Sequence, residues 1–167
     1  MMNALACALE IRDRMKTISK EWQIKKNWDH ELYLSIGLDG GREWLGTFET
    51  LTGADVTVLG DTVNHAEKIS DFSKSGEIWA TKKLLSNRPD KTYRRVKYGI
   101  FRITRNIHTF VARSFQQMSD LADLQLEQNV ELKNIADLPI TQIIEVADAN
   151  TLPPVTRNVA SLGLADW

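Results

Sequence analysis

The stretch from Asp55 to Lys68 reads Asp-Val-Thr-Val-Leu-Gly-Asp-Thr-Val-Asn-His-Ala-Glu-Lys and sets an amide and a cation four residues apart. Asn64 and Lys68 are one helical turn apart, so their side chains leave the same face of a helix. That helix follows directly on a strand, and its first turn carries unpaired N–H groups and partial positive charge. Such an end suits a phosphate chain nearby. Asp61 sits at the junction and reads as the helix N-cap rather than an acid catalyst. His65 has no partners in sequence for a metal or a triad and reads as incidental.

These residues need elements to hold them. Ala4, Ala8, Ile11, Met15, Ile18 and Trp22 recur every three or four residues, which predicts a helix over 3–22 with these on one face. Cys7 is assigned to that apolar face. Leu32, Leu34, Ile36 and Leu38 alternate with smaller or polar residues, the period of a strand. Asp39-Gly40-Gly41 marks a turn, Trp44 to Thr50 a second strand, and 52–55 a turn into a third strand, Val56 to Leu59. The helix opened at Asp61 ends near Lys74-Ser75-Gly76. Then follow a strand at Ile78–Ala80, a brief helix over Lys82–Ser86, and a hairpin from Val96 to Ile103 and Thr109 to Phe115. Trp22, Trp28, Trp44 and Trp79 read as packing residues, since no basic residues interleave with them.

Composition excludes several functions. At 167 residues with 43% hydrophobic and 26% charged, the chain suits one globular domain with additions. A formal net charge of −1 gives no basic excess for nucleic acid or an anionic membrane, and no apolar run reaches the length of a membrane span. One cysteine rules out an intrachain disulfide, and His30, His65 and His108 lack zinc-ligand spacing. The chain reads as cytoplasmic, leaving open that a full-length parent is membrane-anchored.

The Gly-Asp-Thr-Val-Asn turn after a strand, Ile36-Gly37-Leu38 with Gly46 upstream, and Gly76-Glu77-Ile78-Trp79-Ala80-Thr81 downstream resemble the catalytic domain of bacterial class III adenylate/guanylate cyclases over roughly residues 4 to 115. The resemblance implies an α+β, ferredoxin-like class III nucleotidyl cyclase fold. It matches Asn64 to the ribose-orienting residue and Lys68 to an Arg that stabilises charge on the α-phosphate. Thr57 matches the purine-selecting position and leans towards adenine, although a hydroxyl can donate or accept. Leu59 and Gly60 complete the substrate-binding stretch.

The departures are as informative. Lys68 keeps the charge of Arg but loses its planar fork. The family's two metal-binding aspartates, with Mg or Mn as cofactor, lie on strands expected before Met1, so no metal ligands are assigned. The expected organisation is a partial catalytic domain over 1–115, a C-terminal extension over 116–147 and a loosely ordered tail over 148–167. Two functions follow. One is conversion of ATP to 3′,5′-cyclic AMP and pyrophosphate in intracellular signalling, with ATP or GTP as the nucleotide bound, by a homodimer or heterodimer of cyclase domains, the isolated chain being expected to be inactive. The alternative is a non-catalytic cyclase-like regulatory or dimerisation module.

Overall fold

A computed structural model describes residues 2–50, 53–74, 76–86, 95–104, 107–121 and 135–146. The tail expected over 148–167 lies outside the described residues.

The chain opens with α1, Met2–Lys26, one turn longer than its apolar period predicts. Asn27 ends it in the left-handed region (φ 53°), and the Trp28 amide donates to the Gln23 carbonyl at 3.1 Å, a Schellman stop. The face that packs is rotated from the expected one. Leu5, Ala8 and Ser19 are buried and Leu9, Arg12 and Met15 half-buried, whereas Ala4, Cys7, Ile11, Ile18 and Trp22 are exposed. The sequence offers two apolar stripes, and only contact with the sheet chooses between them.

The main sheet runs β1 (Ile36–Leu38), β4 (Ile78–Thr81), β8 (Pro139–Val146), β5 (Val96–Thr104) and β6 (Ile107–Ala112) in spatial order, with the short β7 (Gln116–Gln117) pairing the start of β8. β1 and β4 are parallel, and the other pairings are antiparallel. The strand expected from Leu32 begins only at Ile36. The Leu32 amide donates to Ser19 Oγ at 2.8 Å instead of to a neighbouring strand, so the alternating side chains of 32–35 lie in extended chain without a ladder.

Within the 116–147 stretch, where the sequence signal weakens, lies the strand at the centre of the sheet. Ile140 and Thr141 are fully buried and Ile143 nearly so, between β4 and β5. A strand covered on both faces shows a short apolar run rather than clean alternation, which is why it escapes notice.

The sheet has an apolar layer on each side. Leu5 and Ala8 of α1 pack with Ile78, Ala80, Leu84, Leu85, Tyr98 and Ile143 on one face. On the other, Ile69 of α2 (Asp61–Phe72) meets Trp79, Ile100, Met118, Ile135 and Ile140. α3 (Lys82–Ser86) adds Leu84 and Leu85 to the first layer. The approach of α2 is close: a Cβ on Gly37 would lie 2.0 Å from the Ala66 carbonyl oxygen and 2.5 Å from the Ser70 nitrogen. Only glycine lets β1 and α2 meet there.

β2 (Trp44–Thr50) and β3 (Gly53–Leu59) form a separate two-stranded ribbon, paired from Trp44↔Leu59 to Thr50↔Gly53. β3 starts three residues earlier than predicted because Gly53, Ala54 and Asp55 join the ladder rather than the turn.

Candidate functional site

The ribbon delivers the chain straight into α2, so Thr57, Leu59, Gly60, Asn64 and Lys68 all lie on one continuous strand-to-helix unit. Asn64 is exposed and Lys68 half-buried, one turn apart as predicted. Thr57 is half-buried and pairs with Gly46 across the ribbon, while Leu59 pairs with Trp44. Trp44, Gly46 and Phe48 share a ribbon face with Thr57 and Leu59, and a Cβ on Gly46 would touch nothing within 4 Å. The result is an open notch beside Thr57, walled by Trp44, Phe48 and Leu59. Trp44 is 83% exposed, so it is a wall of this notch and not the packing residue predicted; Trp22 and Trp28 stack on each other, and Trp79 is buried.

The start of α2 differs from expectation. Gly60, not Asp61, is the N-cap, and Asp61 opens the helix without a capping bond. The capping acceptor comes from elsewhere: Glu43 Oε1 receives the Thr62 amide at 3.0 Å. Glu43 lies so close that a Cβ on Gly60 would meet its Oε2 at 1.3 Å. The anion-attracting end of the helix therefore already holds a carboxylate, with the Lys83 ammonium beside the same Gly41 loop. The Thr62 amide, one of the helix-end donors that suited a phosphate chain, is thus already taken by Glu43.

His65 is likewise more than incidental. Its Nδ1 lies 2.9 Å from Oδ2 of Asp39, whose side chain has no solvent exposure. Asp39 Oδ1 accepts from the Gly40 amide at 2.7 Å and from the Thr81 hydroxyl, and Thr81 Oγ1 in turn accepts the Leu84 amide at 3.1 Å and so caps α3. This chain of polar groups ties α2, the end of β1 and the β4–α3 junction together. The sequence showed Asp39 only as the first residue of an Asp-Gly-Gly turn. Its partners lie 26 and 42 residues away, so nothing local marks it.

The described residues do not fit the divalent cations that the sequence resemblance implies. Both Asp39 oxygens are engaged, Glu43 caps α2, and among the described residues no group of three or more His, Cys, Asp or Glu side chains is placed to hold a metal.

The whole arrangement is similar to the guanylyl cyclase Cya2, with a TM-score of 0.58 at 16% identity, over 89% of this chain and 60% of that one. The adenylyl cyclase CyaB from P. aeruginosa matches with a TM-score of 0.49 at 18% identity, over 82% of this chain and 55% of that one. No family model and no curated protein matches the sequence. The likeness to Cya2 defines the fold: a mixed α+β, class III cyclase-like domain. The chain spans about three-fifths of Cya2. Among the described residues no helix is long and apolar enough to cross a membrane.

Proposed function

We propose that this chain supplies one half of a nucleotidyl cyclase active site, converting ATP to 3′,5′-cyclic AMP and pyrophosphate when a second cyclase domain supplies the metal-binding carboxylates. The observation that supports this most is the strand-to-helix unit itself. In a cyclase-like fold it sets Thr57 on the strand and Asn64 and Lys68 on successive turns of the helix that follows it directly. Asn64 orients the ribose so that the 3′-oxygen lies in line with the α-phosphate. As that oxygen bonds to phosphorus and pyrophosphate departs, the Lys68 ammonium offsets the charge on the phosphate oxygens, less completely than a two-pronged guanidinium would. The purine lies in the notch at Gly46, where Thr57 hydrogen-bonds its edge and Leu59 and Trp44 cover its faces. Because the described residues do not fit the metals, no step is assigned to metals held by this chain.

A second reading, a dimerisation module without chemistry, is favoured by one feature of the ribbon. Its other face carries Leu45, Val56 and Val58, exposed by 72, 68 and 42%. That face suits a second cyclase domain in either reading, as homodimer or heterodimer.

The test is to mix the chain with a cyclase domain that keeps its metal aspartates but lacks its own Asn and Arg, and to supply ATP or GTP with Mn²⁺. The expected outcome is cyclic nucleotide in the mixture only, with ATP preferred and the preference lost in Thr57→Ala. No product in the mixture leaves the dimerisation module as the better reading.

A further inference from the structure

On the opposite side of the sheet from α2, a cavity of about 510 Å³ opens between α1 and the extended stretch that leads into β1. Its volume lies in the range of small-molecule sites. Met15, Leu32, Leu34 and Ile144 give it an apolar floor, and Arg12, Lys16 and Lys20, four residues apart, line one wall along α1. A solvated basic helix face is the plain alternative, but two features separate this wall from one. Its cations stand over apolar surface, and Arg12 is drawn inward with only 22% of its side chain exposed.

Arg12 Nη2 donates to the Ile144 carbonyl at 3.2 Å, whereas Nε is buried with no hydrogen-bond acceptor. Its ion pair with Asp13 is long, 3.6 Å from Nε to Oδ1, and the same carboxylate oxygen accepts from Lys16 at 3.0 Å. A half-buried guanidinium that shares its one carboxylate partner with Lys16 gains from a second anion beside it.

We infer that this cavity binds a small organic monocarboxylate with an apolar body. Its carboxylate faces the Arg12–Lys16–Lys20 wall and its body lies on Met15, Leu32, Leu34 and Ile144. Glu31 on the rim, which accepts the Tyr33 hydroxyl, disfavours a doubly charged phosphate.

The full chain is titrated calorimetrically with decanoate, and with decanol as the uncharged counterpart, both below their aggregation limits. Lys16→Gln/Lys20→Gln alters two exposed side chains and leaves the fold intact by circular dichroism. Leu45→Ser/Val58→Ser removes the exposed ribbon face as a competing apolar site. Decanoate is expected to bind about tenfold more tightly than decanol. The lysine double variant should weaken it about fivefold, the scale of a partly exposed ion pair, and the ribbon variant should leave it unchanged. Equal binding of decanol, no effect of the lysine changes, loss of binding in the ribbon variant, or no binding of decanoate at all would each overturn the proposal.

Discussion

The carboxylate of Asp39 is out of contact with solvent and meets the Gly40 amide, the Thr81 hydroxyl and His65. Replacing it with Ala strands those groups, at a cost of about 1–3 kcal/mol. Urea denaturation of Asp39→Ala should show a lower midpoint with an unchanged slope. Tyr33 offers a titration test: Glu31 accepts its hydroxyl hydrogen and so raises its pKa above the ordinary 10.0. A raised folded pKa means that this contact contributes below pH 10 and is lost as pH rises through the folded value. Phenolate absorbance should therefore show one tyrosine titrating late, and Glu31→Gln should bring it back towards 10. At this scale the sequence was readable where geometry is local. Asn64 and Lys68 share a face because any helix makes it so. Glu43 at the head of α2 and Asp39 beside His65 were hidden because each acts across 19 or more residues of chain.

Among the elements, the contact of β1 with α2 depends on Gly37. A methyl group there drives into the α2 backbone, which cannot yield as a side-chain tip can. Gly37→Ala should cost about 3 kcal/mol or more and detach α2 from the sheet, read as a lower melting temperature together with stronger exposure of Trp79 to a fluorescence quencher. A variant as stable as the parent would show that the two elements have room to separate. The strands and helices that bury one face, or connect through Gly and Asp turns, were legible in the sequence. β8 was not, because its surroundings on both faces remove the alternation that marks a strand. The side of α1 that packs was not legible either. Ile11 and Ile18 are as apolar as Leu5, and the sheet decides.

For the molecule as a whole, exposed apolar surface among the described residues includes the Leu45–Val56–Val58 face of the ribbon and the Ile11–Ile18–Trp22 stripe of α1. Surfaces of this kind favour association. Sedimentation should show a weight-average mass rising with concentration, and Leu45→Ser/Val58→Ser should shift it towards the monomer. If the double variant associates as the parent does, the ribbon is not the contact. The same uncovered surface implies a broad thermal transition for the chain alone, and a sharp monomeric two-state melt would contradict that.

The proposed cyclase function turns on Asn64 acting on a nucleotide bound between two cyclase domains. The decisive measurement is the rate of cyclic AMP formation in a mixture with a metal-competent domain lacking its own Asn and Arg, for the parent chain, Asn64→Ala and Lys68→Arg. Asn64 is exposed and Lys68→Arg keeps the positive charge, so folding should be unchanged, as circular dichroism would check. Asn64→Ala is expected to lower the rate about 100-fold or more, the scale of losing one oriented polar contact in the transition state, and Lys68→Arg to raise it. A rate indifferent to Asn64 would contradict the assignment.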